Sequence, residues 1–240
     1  MKEIPQRKCH VNHSTDSPGK LTAEAHILAC LNPTRQPRQG YVLGTLGNPT
    51  TGAQRHVEFW TALGYDKQHQ IIVDYQRRTH DAQREWAAAN DFPIHNVWLA
   101  RVEELVPALL LRGINITTID FDVSNSYGEM ETDIVRMVLQ LGIPRLALTF
   151  TTRGQTQYFG RLGYRLGLDK KFPQESNGRK LELVYQSKGK SCWRNYRYRT
   201  CEVVTKHIDS LVASTGYTAT PFFPYRGAGN TGMATVCIFK

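Results

Sequence analysis

YTATPFFPYRGAGNTGMATVCIF (217–239) holds two strand-like runs, Tyr217 to Tyr225 and Met233 to Phe239, joined by Arg226-Gly-Ala-Gly-Asn-Thr-Gly232 with no room for a helix. Extended runs so closely joined form an antiparallel hairpin, since a parallel pair needs a crossover of a dozen or more residues. The rest of the chain has a different rhythm.

From Gly40 onward, short runs rich in Val, Ile and Thr alternate with helical patterns. The runs are Tyr41 to Leu46, Gln70 to Asp74, Asn96 to Leu99, Ile116 to Phe121 and Arg145 to Phe150. This alternation is the sequence form of a mainly parallel sheet covered by helices. Val102, Leu105, Val106, Leu109 and Leu110 recur at helical spacing, as do Ile134, Val135, Val138 and Leu141, so each helix has one stripe for the sheet. Gly64, Gly113, Gly142 and Gly216 stand where such helices stop before the next strand, because glycine takes the left-handed cap without steric cost. A further helix spans Cys192 to Thr215, ahead of the hairpin. Residues 1–39, with Pro, Ser, Asn and basic side chains, read as a partly mobile N-terminal arm around one short helix, Leu21 to Leu31, which Pro33 and Pro37 end.

The 240 residues fit one domain, and 40% hydrophobic with 21% charged residues is a globular composition. No apolar run approaches the roughly 18 to 20 residues that span a bilayer, and the basic N-terminus lacks a signal-peptide core, so the expectation is a cytosolic protein without a membrane partner. The five cysteines, Cys9, Cys30, Cys192, Cys201 and Cys237, contain no C-x-x-C pair, and the eight histidines show no ligand spacing; no metal site is expected. A net charge of +9 favours a polyanionic partner, with plain solubility as the alternative meaning.

Five strands in βα alternation, a helix and a closing hairpin resemble the class I S-adenosylmethionine-dependent methyltransferases. The resemblance covers Gly40 to Lys240 and rests on the order of elements. It implies an α/β fold with a doubly wound seven-stranded sheet, mainly parallel with a C-terminal antiparallel hairpin, in the order 3-2-1-4-5-7-6. An ordinary nicotinamide-binding Rossmann domain lacks that hairpin. The domain would then span 40–240, with an insertion at about 153–190, and its cofactor would be S-adenosylmethionine.

In a doubly wound sheet, ligands sit beyond the carboxyl ends of the strands. After the first run comes Gly44-Thr-Leu-Gly47-Asn48-Pro-Thr-Thr-Gly52, a turn that the resemblance assigns to the methionine part of the cofactor; the family's acidic residue is missing and the glycines are widely spaced. Asp74 ends the second run, where a carboxylate accepts hydrogen bonds from ribose hydroxyls; the other reading is a solvated aspartate paired with Arg77 or Arg78. Leu99-Ala100-Arg101 follows the third run, with Arg101 where the family often has an acid near the adenine. The fourth run ends in Asp120-Phe-Asp122, followed by Ser124, Asn125, Tyr127 and Gly128. Asp120 and Asp122 share a face, being two residues apart on a strand. A carboxylate there can orient a methyl acceptor or take its proton, while Asn125 and Tyr127 can bond and stack on a base; a helix-capping loop is the alternative. There is no Asp/Asn-Pro-Pro-Tyr/Phe motif of amino-methylating enzymes and no Pro-Cys nucleophile.

Past the fifth run, Arg153 opens a long connection rich in Arg, Lys, Gly and Tyr. Lys188, Lys190, Arg194, Arg197 and Arg199 alternate with Trp193, Tyr196 and Tyr198, a pattern suited to phosphate neutralisation and base stacking; Trp193 and Tyr196 also continue the apolar stripe of the following helix. Three functions fit: methyl transfer to RNA or DNA, a nucleic-acid-binding or structural protein that keeps the fold without cofactor, or methylation of a small molecule or protein.

Overall fold

The computed structural model describes residues 17–45, 49–151, 204–227 and 232–240, without the side chains of 49–53 and 124–126. Its elements are α1 (Pro18–Leu31), β1 (Tyr41–Gly44), α2 (Pro49–Ala62), β2 (Gln70–Asp74), α3 (Arg77–Ala89), β3 (Val97–Leu99), α4 (Val102–Leu111), β4 (Ile116–Ser126), α5 (Glu129–Leu141) and β5 (Arg145–Thr151). Helix α6, described over 204–212, then leads to β6 (Thr218–Ala219), β7 (Phe223–Arg226) and β8 (Gly232–Phe239).

The sheet order is β3-β2-β1-β4-β5-β8-β6, with β7 also on β8. Strands β1 to β5 are parallel, and β8 runs antiparallel to β5 along its whole length, from Arg145 opposite Phe239 to Thr151 opposite Met233. Both β6 and β7 pair with the other edge of β8, Thr218 opposite Phe239 and Phe223 opposite Thr235. They are one edge strand interrupted around Pro221, which has no N–H for a ladder. Counted as one, they give the order 3-2-1-4-5-7-6 and the antiparallel hairpin that the sequence predicts, on a doubly wound α/β sheet of the class I methyltransferase type.

Alternation along the strands separates two cores. Leu43, Val73, Ile119, Phe121, Leu148, Phe150 and Val236 face α4, α5 and α6 through Val106, Leu109, Ile134, Val138 and Ile208, all essentially buried. Val42, Ile72, Ala147 and Cys237 face the other way, onto Ile27 and Leu31 of α1, Trp60 and Leu63 of α2 and Ala87 of α3. Each such aliphatic side chain contributes about 1.5–3 kcal/mol when fully buried. Helix α1 starts three residues before the predicted Leu21, where Ser17 accepts a hydrogen bond from the Lys20 amide and Pro18 supplies a pre-set first turn. Its Ala23, Ile27 and Leu31 are buried, so residues 17–32 form part of the layer over β7 and β8.

The four predicted glycine stops all have positive φ, from +71° at Gly142 to +100° at Gly64. Two local expectations differ. The fourth strand runs on to Ser126 instead of ending at Phe121, with an irregularity against β5 between Asp122 and Ser126. Leu141, placed in the buried stripe of α5, is 41% exposed; it is the last residue of the helix, just before the Gly142 cap that turns the chain into β5.

Candidate active site

The parallel strands deliver their carboxyl ends to one rim, and on each of them alternate residues face the α1–α3 layer. Gly44 of β1, Asp74 of β2 and Asp120 and Asp122 of β4 lie on that face, in step with Val42 and Ile72.

Asp74 closes β2, half-buried, and its Oδ1 accepts the Gln76 amide at 2.7 Å. Burial raises its carboxyl pKa, against the lowering effects of that amide and of His80. Its carbonyl accepts the Ala100 amide at 3.1 Å, tying the ends of β2 and β3 together. The next residue, Tyr75, is 63% exposed, and the Arg101 guanidinium at the start of α4 lies 5.9 Å from its ring centroid. A carboxylate, an open aromatic face and an arginine thus share this end of the sheet. Sequence reading singled out Asp74 and Arg101 but passed over Tyr75; the available signal was an aromatic directly after a strand-ending acid.

At β1 and β4 the rim is filled from below. A Cβ on Gly44 would lie 2.2 Å from Trp60 Cζ2, so this glycine makes room for the indole of α2. The Trp60 Nε1–H donates to Asp120 Oδ2 at 2.8 Å, and His56 Nδ1, one turn earlier, is 3.9 Å from the same oxygen. Asp120 is 3% exposed, so its carboxylate clasps α2 to the sheet and does not face outward. Asp122 is ion-paired and hydrogen-bonded to Lys20 of α1. Burial works against the Lys20 ammonium, but Asp122, with Tyr225 and Asp120, outweighs it and the pKa is raised. The Tyr225 phenol, partly buried beside them on β7, is raised by burial and by Asp122. The turn after β1 is stitched to β4: the Thr45 amide donates to the Asp120 carbonyl at 3.3 Å and its hydroxyl to the Asp122 carbonyl at 3.0 Å.

Tyr127 is 1% exposed, edge-on to Phe150 at 5.3 Å and close to His207, and its hydroxyl accepts from Thr132 at 3.2 Å. Its ring is packed in the opposite core, with no face turned to a base. Asn125 lies within β4. Gly47, Asn48, Arg153, Lys188, Lys190, Arg194, Arg197 and Arg199 fall outside the described residues. The structure therefore brings Gly44, Asp120 and Asp122 together, gathers Asp74 and Arg101 at the β2–β3 end, and adds Lys20, His56, Trp60, Tyr75 and Tyr225. Lys20, His56, Trp60 and Tyr225 were out of reach of sequence reading because no local pattern announces a partner 60 or 102 residues away.

No protein-family model and no curated protein matches the sequence. Solved structures with a similar fold include magnesium protoporphyrin IX methyltransferase from Synechocystis PCC 6803 with bound SAH, at 11% identity and a TM-score of 0.45, covering 92% of this chain and 82% of that one. The 16S rRNA (adenine(1408)-N(1))-methyltransferase from Catenulisporales acidiphilia is another, at 12% identity and a TM-score of 0.41, covering 91% of this chain and 88% of that one. Among the described residues no helix is long and apolar enough to cross a membrane.

Proposed function

We propose that the chain is an S-adenosylmethionine-dependent methyltransferase acting on nucleic acid, with residues 40–240 as its catalytic domain and 153–190 as an inserted recognition element. The observation that carries this reading is Asp74, half-buried at the carboxyl end of β2 in a sheet of this order, beside the open ring of Tyr75. One carboxylate oxygen is occupied by the Gln76 amide, which leaves the other for a ribose diol in this reading; the Tyr75 ring and Arg101 suit a purine ring. Gly44, Gly47 and Asn48 would line the methionine end.

When bound, the cofactor supplies an electrophilic methyl group on a sulfonium. The protein's part is then to align an acceptor and exclude water, since an in-line displacement needs few catalytic side chains. Asp122 is the carboxylate for orienting the acceptor or holding its proton, with Lys20 opening its ion pair when it does so. Asp120 serves as the support beneath it. The charge of +9, and the cations Arg153, Lys188, Lys190, Arg194, Arg197 and Arg199, favour nucleic acid as the acceptor. The test is transfer of a labelled methyl group into separate pools of RNA, DNA, protein and metabolites. Label confined to RNA or DNA is expected; label in the protein or metabolite pool alone overturns the acceptor assignment.

A second reading, a nucleic-acid-binding protein that keeps the fold without the cofactor, is favoured by one set of contacts. Gly44 is explained by Trp60, Asp120 by Trp60 and Asp122 by Lys20, so none of the three needs a ligand to account for it. Nucleic-acid binding with no transfer into any pool would support it.

A further inference from the structure

The two halves of α1 are held in different ways. In the second half Ile27 and Leu31 are buried in the core that contains Trp60 and Leu63, and the Asn32 side-chain amide donates to the Leu63 carbonyl at 2.9 Å and the Gln36 carbonyl at 3.0 Å. The first half, residues 18–24, buries little apolar surface: Ala23 is covered, but Leu21 is 52% exposed. Charge ties it down instead. Lys20 is ion-paired to Asp122 at the end of β4, and Glu24 takes both Nε and Nη2 of Arg55 on α2, the shorter bond at 2.6 Å.

The first turn is also composed for the docked helix and not for a free one. Ser17 and Pro18 set where it starts, but the next two residues work against it. Gly19 lowers helix propensity, yet a Cβ there would overlap the Arg226 carbonyl oxygen, so a glycine is what lets α1 close on β7. Lys20 puts a positive charge where the helix dipole favours a negative one, and the turn has no acidic residue to offset it. Both residues are satisfied by contact with the sheet. When this half opens, the charges of its two ion pairs regain the water lost on burial, which offsets the attraction given up. The aliphatic side chains of the second half gain nothing comparable from water.

We infer that the first two turns of α1 are an autoinhibitory latch, in which the Lys20 ammonium covers Asp122 until residues 18–24 unwind and leave that carboxylate to an acceptor. Ile27, Leu31 and Asn32 stay in place as the anchor, so the opening is local and reversible. Its inhibitory role rests on the reading of Asp122 as the carboxylate that orients the acceptor; the opening itself rests on the contacts of α1 alone.

The test is amide hydrogen exchange of the full chain, without cofactor, across urea concentrations below the unfolding transition. Amides 22–25 should be protected at least about tenfold less than amides 28–31, with exchange that urea barely changes, as an opening that exposes little surface requires. Equal protection along the helix, or one shared urea dependence, overturns the latch. Gly19→Ala crowds the Arg226 carbonyl while leaving Lys20 and Asp122 in place, and should speed exchange of amides 22–25 by about tenfold or more. Unchanged exchange there also overturns it. Transfer of a labelled methyl group into RNA then reads the inhibition: Gly19→Ala should turn over faster than wild type, and equal or slower transfer in a variant whose latch has opened refutes the inhibitory role. Transfer absent from both proteins would refute the methyltransferase reading, and the exchange pattern would still decide the latch.

Discussion

Replacing Trp60 by Phe isolates the contact that joins α2 to the rim. The substitution keeps an aromatic ring in the core but removes the Nε1–H that donates to Asp120 Oδ2 at 2.8 Å. Hydrogen bonds to charged groups contribute about 1.5–3 kcal/mol, and a carboxylate 3% exposed has no water to take the place of the indole. The smaller ring adds about 1 kcal/mol for the volume lost beneath Gly44. Together these set the expected loss at about 2.5–4 kcal/mol, read from urea unfolding followed by circular dichroism, which does not depend on the deleted indole. Asp120→Asn keeps an oxygen for Trp60 to donate to but drops the charge. In the cycle with Trp60→Phe the two substitutions should therefore couple by about 1–2 kcal/mol. A Trp60→Phe variant within about 0.5 kcal/mol of wild type, or a strictly additive double variant, would refute the claim that this bond supports the rim.

Gly44→Ala drives a methyl to 2.2 Å from Trp60 Cζ2 and should cost about 1–3 kcal/mol, seen as a lower urea midpoint with unchanged slope. Lys20→Met removes the Lys20 ammonium from beside Asp122 and should destabilise by about 3 kcal/mol; Lys20→Met/Asp122→Leu should recover most of that, and a double variant no better than the single one would count against the pair. The His207 imidazole is held below its usual 6.5 by burial, then by Arg136, so the unfolded chain takes up a proton first. The stability it allows is full above pH about 6.5 and is lost as pH falls through the depressed folded value, so acidification from about pH 7 to 5.5 should lower the melting temperature, and less so in His207→Gln.

The sheet was legible because its signals are local. Val102, Leu105, Val106 and Leu109 repeat at helical spacing and all four are buried. Gly64, Gly113, Gly142 and Gly216 mark stops where only a left-handed residue fits. The hairpin is readable from the short Gly-rich connection, and its one surprise, the break at Pro221, follows from a proline placed in an edge strand. Less legible was the end of β4: Asp122-Val-Ser-Asn-Ser126 is polar enough to read as loop, yet it stays extended because β5 pairs beside it up to Ser126 opposite Thr151.

The candidate site was legible only where a residue's meaning comes from its place at a strand end. Asp74 is such a residue, and it lies at the rim as the alternation requires. Asp120 and Tyr127 show the reverse. Their types suit catalysis and base stacking, but their surroundings are set by Trp60, Phe150 and His207, which reach them from elements remote in sequence. Lys20, in a stretch read as an arm, closes on Asp122 for the same reason.

The central claim is that the rim around Asp74 and Tyr75 takes an adenosine-containing cofactor. Calorimetric titration of the full chain with S-adenosylmethionine and with its demethylated product tests it most directly. Saturable binding is predicted for wild type, lost in Asp74→Ala, weakened in Tyr75→Ala and retained in Trp193→Phe. No heat with either ligand in folded wild type, or binding indifferent to Asp74, would contradict it.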